Sequence, residues 1–186
     1  MADPTSKAAG FISFVATLRE QLSPAVFARI VQALPPETRV LVDKPPMAMT
    51  WIDRSHFDSL MELVWRVAVA ENGDAMTDLS RRQLRRDMNT IYKVLMHVAS
   101  THSVLKKAST IFSTYTKVGR MSSKELDRLH AEIIIDELVG ATSAWWAFYR
   151  GAIWGVLDAA GTTGSKVVIK EGGGTNQRTV YDVTWS

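Results

Sequence analysis

Apolar residues recur at helical spacing through most of the first 120 positions, and alternation takes over only near the end of the chain. Phe11, Phe14, Val15 and Leu18 share one helical face that ends near Leu22. Ser23 followed by Pro24 has the form of an N-cap and a first helical residue, and Phe27, Ile30, Val31 and Leu34 continue that helix. Leu34-Pro35-Pro36-Glu37 breaks it and opens a short helix over Thr38 to Val42, after which Pro45-Pro46 breaks the chain again. Trp51 to Ser55 leads into a helix that buries Phe57, Leu60, Met61, Val64, Trp65 and Val67. Asp78 or Ser80 is expected to cap a long helix with the stripe Leu84, Met88, Ile91, Leu95 and Val98. A further helix is predicted from Val104 to about Val118. Residues 1-10 read as a disordered tail and 11-186 as one domain.

Met121 to Leu138 supports two readings. Ser122-x-x-Glu125 fits a capping box, with Leu126, Leu129 and Ile133 loosely helical. Leu129, Ala131, Ile133 and Ile135 also alternate with His130, Glu132, Ile134 and Asp136. The run of three isoleucines favours a strand over Arg128 to Leu138, with a shorter partner around Lys117 to Ser123.

From Gly140 onward the pattern is sharper. A helix over Thr142 to Ala160 is apolar on three sides, which marks a buried helix. Its row Ala147, Gly151, Gly155, Ala159 is small throughout and permits close approach of another backbone, while the row Trp146, Arg150, Trp154, Asp158 carries its charge. Gly161 stands where a left-handed C-terminal residue is wanted. Val139 to Leu157 holds a single charge, so a membrane span has to be weighed. Arg150 would lie near its centre at a cost of about 2.5–3.5 kcal/mol, and a core helix is the better reading. Lys166 to Lys170 and Thr179 to Trp185 are β-rich and separated by Gly172-Gly173-Gly174, so they read as an antiparallel pair with Thr179, Tyr181, Val183 and Trp185 facing the core. The predicted class is α+β, a helical layer followed by a small antiparallel sheet.

Composition changes the picture little. The chain is 46% hydrophobic and 22% charged, as ordinary globular domains are, and its net charge of +3 argues against nucleic acid as the main partner. It contains no cysteine, which removes disulfides, thiolate metal sites and cysteine catalysis and fits a cytoplasmic setting. Four histidines are present, His56, His97, His102 and His130. The five-residue step from His97 to His102 is not the spacing of a helical metal pair, and each reads better as a structural or surface group. No catalytic triad or paired-carboxylate spacing stands out, so an enzyme is not expected.

Two constellations remain. Arg81, Arg82, Arg85 and Arg86 would stack as a basic face on a helix, either a solvated face or a docking site for a polyanion. Trp146, Tyr149, Arg150 and Trp154 are the candidate ligand- or partner-binding residues, because indoles flanking a guanidinium are hot-spot chemistry and suit a cation–π arrangement. A homodimer through Trp146, Arg150 and Trp154 is the simplest form of that idea. The alternative is that Arg150 satisfies a carboxylate such as Glu132 or Asp136.

Leu34-Pro35-Pro36-Glu37-Thr38-Arg39, Trp51 before a helix, Val104-Leu105, Tyr115, Gly119-Arg120, Gly151, Leu157, Gly161 and the ending Tyr181-x-Val183-x-Trp185 together resemble a paralogous family of unknown function found in myxobacteria. The resemblance spans residues 11-186. That family is similar to the superfamily of haem NO-binding domains, four-vinyl-reductase domains and transport-particle subunits. The resemblance implies a helical layer joined to a β-β-α-β-β unit, supports the strand reading of Arg128 to Leu138, and implies sensing or assembly in bacterial signalling rather than catalysis. The chain departs from those relatives in lacking their cysteines and the Tyr-x-Ser-x-Arg signature that holds haem propionates. We therefore expect a non-enzymatic sensory or adaptor domain that takes a small molecule or protein partner and needs no cofactor. The alternatives are a haem-based gas sensor with His102 as axial ligand, and a nucleic-acid module using Arg81, Arg82, Arg85 and Arg86.

Overall fold

In the computed structural model, the most buried helix of the described residues is the one the C-terminal pattern marks out. The structure describes residues 4–91 and 100–186, and side chains outside 89–99. In chain order its elements are β1 (Thr5–Lys7), α1 (Ala8–Gln21), α2 (Pro24–Ala33), α3 (Pro36–Asp43), β2 (Trp51–Asp53), α4 (Arg54–Leu63), a π-helical turn (Val64–Ala68), α5 (Gly73–Ile91), α6 (Thr101–Tyr115), β3 (Arg120–Asp127), β4 (His130–Asp136), α7 (Ser143–Ala159), β5 (Lys166–Glu171) and β6 (Thr179–Thr184). The fold is α+β. The helical layer comes first and a β-β-α-β-β unit follows, with an antiparallel sheet in the order β3-β4-β6-β5.

Lys166, Tyr181 and the strand-rich tail lie in the sheet as predicted, and β4 resolves the ambiguous segment as a strand. Ala131, Ile133 and Ile135 of β4 are buried beside Tyr181 and Val183 of β6, so the alternation reports the core face correctly. Ser122 and Glu125 sit within β3, and no capping box forms.

The helix starts are less faithful to the pattern. Ser23 does cap α2 by accepting from the Val26 amide. The long helix α5 begins at Gly73, before Asp78 and Ser80, because the Asn72 side chain accepts from the amides of Asp74 and Ala75. Ser100 likewise starts α6 at Thr101. The expected tail through Gly10 is also corrected. Thr5–Lys7 pairs with Trp51–Asp53, the Lys7 ammonium lies 4.0 Å from the Trp51 ring centre, and α1 already begins at Ala8. The expectations for Leu95, His97 and Val98 fall outside the described residues. Among the described residues no helix is long and apolar enough to cross a membrane.

The axis of the fold is the contact between α5 and α7. Gly151 and Gly155 of α7 lie directly on the α5 backbone. A Cβ at Gly151 would stand 2.1 Å from the Thr77 carbonyl oxygen, and one at Gly155 would stand 2.5 Å from that of Arg81. The small-residue row thus does what its composition implies, and helix polarity at the seam is met by specific bonds. Thr77 Oγ1 lies 3.1 Å from the Ala147 carbonyl and accepts from Arg150 Nε at 2.8 Å. On its other side α7 meets the sheet, where the buried Tyr181 hydroxyl donates to the Trp146 carbonyl at 2.9 Å.

Candidate functional site

Close packing along the α5–α7 seam does not extend to α6. Between α1, α4, α5, α6 and α7 there is a cavity of about 230 Å³, walled almost wholly by apolar surface. Its body is formed by residues such as Leu84, Met88, Ile111, Ala152, Ile153 and Val156. Met88, Val104 and Val156 form a small apolar cluster separate from the main core, while Leu105 and Phe112 of α6 belong to that core, so α6 is held at both clusters and the cavity lies in the same layer. One end is closed by an aromatic cluster in which Phe57 meets Trp145 at 5.0 Å and Phe148 at 5.8 Å, and Phe112 meets Tyr149 at 5.6 Å between ring centres.

The polar residues in this wall are few, and they are unusual. Arg54, the first residue of α4, is 3% exposed. Its Nε donates to Asp58 at 3.2 Å, its guanidinium carbon lies 4.6 Å from the Trp145 ring centre, and neither Nη1 nor Nη2 has a hydrogen-bond partner. Ser6 Oγ and Gln83 Oε1, in the same wall, are also buried without partners. Asp87 accepts from the Ser13 hydroxyl at 2.5 and 2.7 Å, and burial raises its carboxyl above the usual aspartate range against the pull of Ser13 and Arg86. Burial pushes the Tyr149 phenol up to about 12, so it stays protonated and neutral at physiological pH.

The candidate binding residues are not brought together as a surface. Trp146 is 1% exposed, and its Nε1 donates to the Gly174 carbonyl at 3.1 Å in the hairpin loop between β5 and β6. Arg150 ion-pairs with Asp74 at the start of α5, not with Glu132 or Asp136. Trp154 is half-buried and donates to Ser165 Oγ at 3.1 Å. The stacked cation is Arg81, 4.2 Å from the Trp154 ring centre, rather than Arg150. Trp146, Arg150 and Trp154 therefore tie α7 to α5 and the sheet, and the three do not form one exposed surface. Of the four, only Tyr149 lines the cavity.

The basic face is divided in the same way. Arg81 pairs with Asp158 of α7 through two bonds of 2.6 and 2.8 Å, and Arg86 pairs with Glu20 of α1 at 3.0 Å. Arg82 and Arg85 are exposed. Because α5 is buried on two sides, two of its four arginines serve the fold, and the four do not share one face. Arg81→Gln should lower stability by about 1–2 kcal/mol, since its partner carboxylate is largely buried. Arg82→Gln and Arg85→Gln should each stay within about 0.5 kcal/mol of the parent in urea unfolding.

The three described histidines also find local partners. His102 Nε2 lies 2.8 Å from the Asp127 carbonyl and its ring meets Trp185 edge-on at 4.8 Å, so it faces the sheet and does not line the cavity. His130 Nε2 lies 2.6 Å from Asp182 Oδ1, and His56 Nδ1 is 2.9 Å from the Thr38 hydroxyl. Among the described residues no group of histidines and carboxylates is arranged to hold a metal ion.

Arg54, Ser6 and Gln83 are absent from the candidates read in the sequence. Arg54 with Asp58 at i+4 looks like a surface ion pair. The available signal was its spacing, because Arg54, Phe57, Met61 and Val64 lie on one face of α4 and the last three are buried. A charge on a buried stripe is the pattern to look for.

A helical layer closed by a β-β-α-β-β unit is the architecture of the H-NOX fold, and solved structures of that class are similar to this chain over nearly its whole length. An unliganded Fe(II) H-NOX protein from K. algicida, an alanine-to-glycine mutant, gives a TM-score of 0.72 at 8% identity, covering 97% of this chain and 96% of that one. An oxygen-binding H-NOX domain related to soluble guanylate cyclases, in its oxygen complex, gives 0.70 at 11% identity over 97% and 95%. A phenylalanine-to-leucine mutant of Tt H-NOX gives 0.69 at 12% identity over 97% and 95%. At such identities the likeness shows the fold alone. No family model matches the chain, and no curated protein matches its sequence.

Proposed function

We propose that this protein is a non-enzymatic sensory domain that takes a small molecule into the cavity between α5, α6 and α7. The observation that carries the reading is that cavity of about 230 Å³, apolar in a molecule that packs glycine against backbone a few residues away. It lies slightly below the roughly 300–1,000 Å³ of ordinary ligand clefts, which suits a compact ligand. Occupancy would fill the space that α6 shares with α5 and α7, and that is a plain way for a bound molecule to change how α6 is held. The resemblance to the myxobacterial family supports a place in bacterial signalling.

Intrinsic fluorescence gives a direct test, because Trp145 is in the wall. Titration with a neutral apolar probe, 1-octanol, is expected to be saturable in the unaltered protein. It should be weakened at least about tenfold by Ala152→Trp, which fills the space with a side chain. Binding that ignores Ala152→Trp would overturn the assignment of the cavity.

Haem is the second reading, favoured by the H-NOX structures that the fold resembles. The described residues fit it poorly. No histidine is among the described residues of the cavity wall, His102 is engaged at the sheet, and the volume is small for a tetrapyrrole. A haem held in an H-NOX-like site would supply an iron centre for a diatomic gas. Hemin titration with a Soret band that shifts on binding and is lost in His102→Ala would favour this second reading over ours.

A further inference from the structure

We propose that the ligand of this cavity is an apolar anion, a compact monocarboxylate whose head group is received by Arg54. The inference rests on the cavity reading above and adds the chemistry of the ligand. A guanidinium is always charged and has five N–H donors in a rigid fork. Arg54 is 3% exposed and uses one donor, Nε, on Asp58, leaving the Nη1–Nη2 edge without a partner. Asp58 neutralises it only in part. The side chain of Asp58 is 43% exposed, and the same oxygen, Oδ1, also accepts from Trp145 Nε1 at 2.7 Å. A buried cation in this condition is expensive, and each such group in a folded protein calls for a cause.

The other unpaired atoms of the wall sharpen the case. Ser6 Oγ, Gln83 Oε1, Arg54 Nη1 and Arg54 Nη2 all belong to residues around one cavity. Among the described residues the charged ones that line it are Lys7, Arg54, Lys107 and Asp87, of which the Lys7 ammonium is engaged by Met49 and Trp51, Lys107 is exposed and Asp87 is occupied by Ser13 and Arg86. A cationic ligand would therefore meet the buried Arg54 guanidinium, and a neutral one would leave its outer edge unsatisfied. A carboxylate matches the two parallel donors of that edge, while the nearly apolar walls suit a hydrocarbon body.

Octanoate and 1-octanol, which share their chain length and differ in the head, are the probes, at pH 7 where octanoate is ionised. Octanoate is expected to bind the unaltered protein at least about tenfold more tightly than 1-octanol, read by Trp145 fluorescence and checked by calorimetry. In Arg54→Met octanoate should weaken by about 30- to 100-fold, while 1-octanol stays within about threefold. The melting temperature of Arg54→Met without ligand should equal or exceed the parent's, because a buried cation that Asp58 neutralises only in part has been removed. Equal affinity for the two probes in the unaltered protein would overturn the anionic head group and leave the cavity reading standing, whether or not Arg54→Met folds. Failure of both probes to bind would overturn the cavity reading itself.

Discussion

Gly151→Val is expected to cost about 3 kcal/mol or more, enough to leave a marginally stable domain largely unfolded at 37 °C. Added carbon atoms here have nowhere to go. The first of them would stand 2.1 Å from the Thr77 carbonyl oxygen and 2.9 Å from Ser80 Cβ, and the obstruction at Thr77 is helix backbone rather than the end of a flexible side chain. Relief requires α7 to move away from α5. That movement would also break the bonds of Arg150 to Thr77 and Asp74 and of Arg81 to Asp158, all of which span the same seam. Gly73→Ala is the control. Its Cβ would meet nothing closer than Ala147 Cβ at 4.0 Å, and its stability should stay within about 0.5 kcal/mol of the parent. Urea unfolding followed by circular dichroism checks both. A Gly151→Val protein with the parent's midpoint would mean that the two helices do not touch as described.

That seam was readable before any coordinates because it depends on local periodicity. Four small residues at i, i+4 spacing on one helix leave room for a backbone whatever the partner is, and an alternating β4 buries one set of residues whatever it faces. The pattern does not name partners. Arg81 and Trp154 stood in two separate candidate groups, yet each is the other's neighbour, because α5 and α7 are brought together across 73 residues of sequence separation and nothing local reports it. Arg150 does meet a carboxylate, but it is Asp74 rather than Glu132 or Asp136, and Asp74 stands at the start of a helix that Asn72 caps. Arg54 was missed for the opposite reason. Its i+4 partner Asp58 gives it a complete local explanation, and only the burial of α4 against Trp145 makes that explanation insufficient. The cavity has no sequence signature, since the apolar residues that form most of its wall read as core and its polar ones read as helix surface.

The tryptophans of α7 separate a packing role from a surface role. Trp146→Ala is expected to destabilise the protein by about 3–5 kcal/mol, the usual cost of truncating a fully buried aromatic side chain. The indole is 1% exposed, it is among the largest fully buried side chains, and its Nε1 is bonded to the Gly174 carbonyl. Its removal leaves a void between α7 and the sheet and frees the loop that joins β5 to β6. Trp154→Ala should cost less, about 1–2 kcal/mol, because that ring is half-buried and loses one bond to Ser165 and its stacking under Arg81. Both variants are expected to keep the parent's mass in sedimentation, since Trp146 is buried and Trp154 is engaged by Ser165 and Arg81. The opposite pattern, with Trp146→Ala as stable as the parent but altered in assembly state, would return Trp146 to the surface and remove the account of how α7 is held to the sheet.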